Sequence, residues 1–96
     1  MMIRSDETEI RGRWKQSGLK VVEDANSQRI EALVSSYLRA LGQGESGWST
    51  LFVDPNDGRY WELTYPDSDS HGGGPPMLRN LSGDAARQKY GDAVDA

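Results

Sequence analysis

The sequence predicts an α+β fold: an antiparallel sheet of about four to five strands, with one main helix packed on a face and a short C-terminal helix. Two observations predict it. Apolar residues recur at helical spacing in residues 26–41, and apolar and polar residues alternate in residues 58–66. The predicted order is ββαβββα in two layers. With 96 residues we expect a single domain, at 9–90, with flexible termini at 1–8 and 91–96.

The first two predicted strands form a hairpin. Residues 9–14 and 18–24 are short runs on either side of a turn that contains glycine. Ile10 and Trp14 have even spacing, which predicts that they share one side of the strand. Gly12 between them permits a β-bulge or a close approach of another backbone.

The main helix is predicted from residue 26 or 27 to Leu41. Its apolar positions recur every three or four residues and form one stripe: Ile30, Leu33, Val34, Tyr37, Leu38 and Leu41. Asn26 or Ser27 is the predicted N-cap. Gly42 follows the last predicted turn, where a glycine commonly ends a helix. One face of this helix is apolar, so we expect the sheet to cover it.

A second hairpin follows the helix. Residues 48–54 and 58–66 flank a turn that contains Pro, Asn, Asp and Gly, which are typical turn residues. The alternation in the second strand sends one set of side chains to each face: Trp61, Leu63 and Tyr65 to one, and Tyr60, Glu62 and Thr64 to the other. The sequence places four aromatic side chains in the core: Trp14, Trp48, Trp61 and Tyr37. Tyr60 is expected at the surface.

The C-terminal part is predicted to add a strand and a helix. Residues 77–81 form a short strand, and Ser82 caps a helix over residues 83–90. Asp84 in the first turn and Lys89 in the last turn suit the helix dipole. The connecting stretch, residues 66–76, combines acids, the single histidine, three glycines and two prolines. This composition suits a sharp turn followed by an extended exit.

Charge is distributed unevenly along the chain. The net charge is -4, and residues 43–96 carry nine acidic against four basic residues, whereas residues 1–42 are nearly balanced. This distribution disfavours binding to nucleic acid or to an anionic membrane and favours a basic protein partner. The absence of cysteine excludes disulfides and thiolate metal sites. The polar N-terminus has no signal-peptide pattern, so we expect a cytoplasmic protein.

Three motifs in the loops invite a catalytic interpretation. Residues 42–47 match the dinucleotide-binding glycine pattern, but a predicted helix precedes them and a strand follows, which is the reverse of the required order. The His-Gly-Gly-Gly run at 71–74 resembles an oxyanion-hole sequence, but the chain contains no nucleophile-elbow serine. Asp67, Asp69 and His71 alternate and could bind a divalent metal, although such patterns are common in polar loops.

Residues 47–82 resemble the immunity protein 27 family of bacterial polymorphic toxin systems. The most specific part is a Trp-Glu-x-x-Tyr-Pro strand followed by His-Gly-Gly-Gly-Pro-Pro, and the Asp-Pro and Asp-Gly-Arg pairs of the turn support it. Weaker similarity extends the resemblance to about residues 10–90. Asp69 departs from the pattern, because many relatives carry a glutamate there.

The resemblance implies a small antidote that binds a cognate toxin domain, has no enzymatic activity and needs no cofactor or metal. Our hypothesis places the toxin-facing surface in the acidic half, where opposite charge accelerates association with a basic toxin. Six residues are the candidates for this surface: Asp57, Tyr60, Glu62, Asp67, Asp69 and His71.

Two other functions remain open from the sequence. One is a small metal-dependent hydrolase that uses Asp67, Asp69 and His71, and the other is a structural adaptor without a toxin partner. Metal titration would test the first, and the neighbouring gene would test the second. The sequence gives no indication of the oligomeric state.

Overall fold

The computed structural model describes residues 3–17, 20–44, 47–66 and 74–95; for residues 14–17 and 20–23 only the backbone is described. The strands are β1 (Glu9–Arg11), β2 (Trp14–Ser17), β3 (Lys20–Glu23), β4 (Arg39–Gln43), β5 (Thr50–Val53), β6 (Tyr60–Thr64) and β7 (Met77–Leu81). The helices are α1 (Ala25–Ser36), α2 (Gly83–Tyr90) and a C-terminal 3-10 helix (Gly91–Asp95).

Five strands form one antiparallel sheet in the order β1-β7-β6-β5-β4, and β2 and β3 form a separate hairpin. Neighbouring strands of the large sheet all pair antiparallel. The predicted α+β fold, with one main helix and a short C-terminal helix, is confirmed. The strand at 77–81 is confirmed as well, and β7 lies inside the sheet between β1 and β6.

The first predicted hairpin is wrong in its pairing. β1 pairs with β7, with Ile10 opposite Leu78, while the hairpin is formed by β2 and β3. Gly12 explains the change of partner, because its N–H donates to the Pro76 carbonyl at 2.8 Å. A Cβ atom at Gly12 would lie 2.7 Å from that oxygen and 2.4 Å from Ser27 Oγ. The predicted close approach at Gly12 is therefore confirmed, and it occurs where the chain leaves the large sheet.

Helix α1 begins earlier than the sequence predicts. Its N-cap is Asp24, whose Oδ1 accepts a hydrogen bond from the Ser27 N–H at 2.8 Å. Asn26 and Ser27, the predicted N-caps, lie inside the helix. The carboxylate of Asp24 also accepts from the Arg13 N–H at 3.1 Å, which fixes the start of the helix against the strand connection.

Helix α1 also ends earlier than predicted. The N–H groups of Tyr37 and Leu38 both donate to the Leu33 carbonyl, and the chain then enters β4. Residues 39–43 provide hydrogen bonds to the edge of β5, with Ala40 opposite Phe52. Gly42 is therefore a strand residue and not a helix cap. Tertiary pairing outweighs a helical pattern that continues to Leu41.

Both faces of the sheet are covered, so the predicted two layers are wrong and the fold has three. Under α1 lies the larger apolar cluster: Ile3, Ile10, Ile30, Leu33, Leu38, Phe52, Trp61 and Leu78. The opposite face carries Leu51, Ala86 and Val94, with Tyr60 and Tyr90 packed against them. The strand alternation predicted for residues 60–64 is confirmed, because Trp61 and Tyr60 pack on opposite faces.

The predicted turn and the C-terminal helix are confirmed. Gly58 has a φ of 77°, and the Asp54 N–H donates to the Arg59 carbonyl at 2.9 Å, which closes the β5–β6 turn. Ser82 caps α2 by accepting from the Ala85 N–H at 3.1 Å. In the part of the chain that is described, neither α1 nor α2 is long and apolar enough to cross a membrane.

Residues outside the predicted domain limits also contribute to the core. Ile3 is 3% exposed and Val94 is 8% exposed, and each belongs to one of the two apolar clusters. Glu7 binds Arg29 of α1 through two hydrogen bonds of 2.7 and 2.8 Å. The domain limits 9–90 and the flexibility of the termini stay predictions.

Candidate functional site

Asp57 lies in a region that we call the turn end of the sheet, residues 54–59 with the N-terminal segment 4–7. Its carboxylate accepts from Arg59 Nε at 2.8 Å and from the Arg59 N–H at 3.0 Å. The backbone hydrogen bond, with the contribution of the guanidinium, lowers the pKa of Asp57. Asp57 therefore lies at the surface with part of its hydrogen-bonding capacity already used by Arg59.

Arg59 connects the turn end to the N-terminal segment. Its guanidinium donates to the Glu7 carbonyl at 2.7 Å and to the Arg4 carbonyl at 2.9 Å. The same group lies 5.0 Å from the centroid of the Trp61 ring, which is a cation–π distance. The Asp-Gly-Arg part of the family resemblance thus has a structural role here: it attaches residues 4–7 to the sheet.

A buried carboxylate completes the turn end. Asp54 is fully buried, and its Oδ1 accepts from the Tyr37 hydroxyl at 2.6 Å and from the Asn56 N–H at 2.8 Å. The hydrogen bond to this carboxylate, together with burial, raises the pKa of Tyr37 to about 12. The contact joins the residue after α1 to the turn, so the turn and the helix hold each other in place.

Tyr60 and Glu62 lie beneath the C-terminal helices. Tyr60 is half-buried, and its hydroxyl donates to the Val94 carbonyl at 3.3 Å. Glu62 is only 1% exposed and accepts from Arg79 Nη2 at 3.2 Å and from the Tyr90 hydroxyl at 2.7 Å. Lys89 also pairs with Glu62. The expected surface position of Tyr60 is wrong, since the 3-10 helix covers it.

The charge state of the Glu62 network follows from its partners. Burial pulls the pKa of Glu62 upward, but hydrogen bonds from Lys89 and Tyr90 and the charges of Lys89 and Arg79 outweigh it, so the pKa is lowered. Burial and the contact with Glu62 raise the pKa of Tyr90 to about 12 against an opposing hydrogen bond with Ser49. Glu62 is thus an anion held by two cations, an arrangement that fixes α2 on the sheet.

Three predicted site residues, Asp67, Asp69 and His71, lie outside the described residues. The chain is described again from Gly74, which has a φ of 75° and is buried. Among the residues that are described, no three side chains of the metal-binding types converge. The metal hypothesis concerned the undescribed residues and is not tested by this result.

The opposite end of the sheet carries an aromatic pair, the exposed Trp48 and the half-buried Tyr65, which we call the aromatic end. Trp48 is 61% exposed, so its predicted core position is wrong. The two ring centroids lie 6.5 Å apart with an interplanar angle of 78°, an edge-to-face arrangement. Trp48 precedes Thr50 by two residues and Tyr65 follows Leu63 by two, and Thr50 pairs with Leu63. Trp48 and Tyr65 therefore lie two residues beyond Thr50 and Leu63, the last paired residues at this end of β5 and β6.

The loop before β5 fixes the direction of Trp48. The Gly44 N–H donates to the Ser49 carbonyl at 2.9 Å, and the Gly47 N–H donates to the Gly44 carbonyl at 3.0 Å. Gly47 has a φ of 77°, a conformation that suits glycine. These glycines were the available signal in the sequence, because they indicate that β5 begins after Trp48 and not at it.

The sequence profile of the immunity protein 27 family matches residues 16–82, more than half of the chain. This match identifies the chain as a member of a family of immunity proteins. The chain belongs to the immunity protein 27 family. The match includes β4 to β7, the β5–β6 turn and the aromatic end, whereas the N-terminal segment of the turn end lies outside it. Neither a curated protein nor a solved structure matches the chain.

Proposed function

We propose that this chain binds a cognate toxin domain, neutralises it by occupying its surface, and catalyses no reaction itself. The observation that carries the proposal is the family match over residues 16–82, since an immunity protein implies a toxin as its protein partner. We further propose that it acts in the cytoplasm of the bacterium that produces the toxin.

The proposed partner surface is negatively charged, at least in part. Residues 43–96 carry nine acidic residues, and charge complementarity raises the association rate with a basic toxin. Of the six candidates, Asp67, Asp69 and His71 follow Tyr65 and Pro66 directly in the chain. We propose that these three make direct toxin contacts.

The other three candidates have a smaller direct role in this proposal. Asp57 already binds Arg59, so a toxin cation must compete with that pair. Tyr60 and Glu62 lie beneath the C-terminal helices, and Glu62 holds Lys89 and Arg79. These two residues would therefore affect toxin binding only indirectly, by positioning α2 and the 3-10 helix.

Co-expression tests the proposal directly. The C-terminal domain encoded by the neighbouring toxin gene should kill or arrest cells, and this chain should restore growth. With purified proteins, Asp67→Ala combined with Asp69→Ala should weaken binding by about 10-fold at low salt, because two charge pairs of up to about 1 kcal/mol each set an upper limit of about 30-fold. The melting temperature should stay unchanged.

A control variant removes the same charge elsewhere. Asp6 and Glu31 are exposed on the N-terminal segment and on α1, so Asp6→Ala with Glu31→Ala alters net charge equally. If the control weakens binding as much as the test pair, the assignment to Asp67 and Asp69 is wrong. If the wild-type chain neither binds the toxin domain nor restores growth, the proposed function itself fails.

A further inference from the structure

The aromatic end presents a large apolar surface that the fold does not use for its core. Among the described residues, Trp48 is the large hydrophobic side chain that is exposed, whereas Trp61 in β6 is fully buried. Exposed tryptophan and tyrosine are the residue types most enriched among the side chains that dominate binding energy at protein interfaces. The exposure of Trp48 requires an explanation other than stability.

Contacts within the chain restrain Trp48 and Tyr65. The edge-to-face contact between Trp48 and Tyr65 and the two hydrogen bonds between Gly44, Gly47 and Ser49 restrain the loop that carries Trp48. A restrained aromatic side chain loses little conformational freedom when a partner covers it, so more of the gained contact energy appears as affinity.

The described residues of the cross-strand row next to the pair are uncharged. Gln43, Thr50 and Leu63 form one cross-strand row, and Ala40 is exposed on the neighbouring edge strand β4. A partner that placed a charge directly over this row would bury that charge without an opposite one among the described residues, which is unfavourable. The group that covers Trp48 is therefore apolar or aromatic.

We infer that Trp48, supported by Tyr65, is the apolar anchor on which the cognate toxin docks. The inference rests on the proposed function and adds the position and chemistry of the central contact. An interface of standard size covers about 800 Å² on each partner, which exceeds what two aromatic rings provide. The anchor must therefore be surrounded by further contacts, and in an acidic chain those favour a basic partner.

Charge distinguishes the toxin from a second copy of this chain as the occupant. Each copy carries a net charge of -4, so two copies that face each other across this surface repel. A basic toxin is attracted to the same surroundings. The apolar centre and the acidic composition together favour a toxin whose binding surface has an apolar group surrounded by basic residues.

The experiment compares Trp48→Ala, Tyr65→Ala and wild type in binding to the purified C-terminal domain of the neighbouring toxin. Trp48→Ala should weaken binding about 30-fold or more, the effect typical of a dominant interface residue. Tyr65→Ala should weaken it less, because its main contribution is to hold Trp48. The loss caused by Trp48→Ala should be the same at low and high salt, whereas the loss caused by removing Asp67 and Asp69 should shrink as salt rises.

A matched control lies on the other side of the molecule. Ser5→Ala in the N-terminal segment changes an exposed, uncharged side chain at the turn end and should leave toxin affinity unchanged. If wild type binds the toxin and Trp48→Ala binds as tightly, the anchor is wrong while the proposed function stands. If wild type sediments as a dimer that Trp48→Ala dissociates without loss of toxin affinity, the surface serves a second copy and the inference is overturned. If wild type binds no toxin, both proposals fail.

Discussion

The two ends of the sheet use similar residue types in opposite ways. At the turn end, Arg59 binds two backbone carbonyls, one carboxylate and one tryptophan ring. At the aromatic end, Trp48 contacts Tyr65 but remains 61% exposed. Trp61 packs in the apolar cluster under α1 and the N-terminal segment, whereas Trp48 lies before β5 and is largely exposed.

This difference separates stability from binding. At the turn end, Arg59 and Asp54 bind other parts of the fold, and Asp57 binds Arg59. The acidic residues of this end therefore contribute first to the fold and only then to a partner. The aromatic end leaves apolar surface uncovered, which contributes little to folding and is available to a partner. An apolar side chain that is already exposed, such as Trp48, suits the proposed capture of a toxin without a large rearrangement.

The largest expected effect on stability is at the turn end. Arg59→Ala removes the pair with Asp57, the contact with Trp61 and the hydrogen bonds to the carbonyls of Glu7 and Arg4. We expect the free energy of unfolding to fall by about 2–4 kcal/mol, since several partners lose their charge-assisted contacts at once. Urea unfolding followed by tryptophan fluorescence measures it.

A conservative variant sharpens this result. Arg59→Lys keeps the positive charge but cannot place several donors in one plane, so it should recover only part of the loss. Toxin affinity of the folded Arg59→Lys protein should change far less than that of Trp48→Ala, because Asp57, the partner of Arg59, has only a smaller direct role in the proposed interface. A variant that kept full stability but lost toxin affinity would contradict the separation of the two ends.

An intermediate effect is expected from Glu7, which connects the N-terminal segment to α1. The hydrogen bond from Arg29 is the main reason that the pKa of Glu7 falls from 4.5 to about 2. Because the folded-state pKa is depressed, the contribution of Glu7 is complete above pH 4.5 and is lost as the pH falls toward 2. Glu7→Gln should lower the free energy of unfolding by about 1–2 kcal/mol at pH 7 and by less at pH 2.5.

The measurement is a series of urea unfolding curves from pH 7 to pH 2.5 for wild type and Glu7→Gln. The difference between the two should narrow across the acidic range. Glu31→Gln, an exposed change on α1, serves as the control and should follow wild type throughout. A difference that stayed constant with pH would show that the Glu7 charge does not act through Arg29.

The smallest effect on stability is expected at the aromatic end. Trp48→Ala should change the free energy of unfolding by no more than about 0.5 kcal/mol, because the side chain is largely exposed. Thermal unfolding of this variant beside Arg59→Ala gives the comparison directly. A strong loss of stability would place Trp48 in the core after all and would remove the contrast between the ends.

Local patterns predicted the parts of the fold that short-range chemistry controls. The alternation in residues 60–64 assigned Trp61 and Tyr60 to opposite faces, and Ser82 identified the start of α2. The same reasoning failed at Tyr60 and Glu62, because nothing local indicates that α2 and the 3-10 helix fold back over that face. It failed again at Trp48, because aromatic character predicts burial, whereas exposure depends on which parts of the fold cover that end of the sheet.

The sequence alone determined the periodicities, the turn chemistry and the family of this protein, because each depends on neighbouring residues or on a motif read along the chain. Tertiary structure alone decided that residues 39–43 form an edge strand, that Glu62 is buried between two cations, and that Trp48 is exposed. These outcomes depend on contacts between residues far apart in the chain. Such contacts compete with the secondary-structure preference of the local sequence. They outweigh it where a strand edge has unpaired hydrogen-bonding groups or where a buried charge requires an opposite charge.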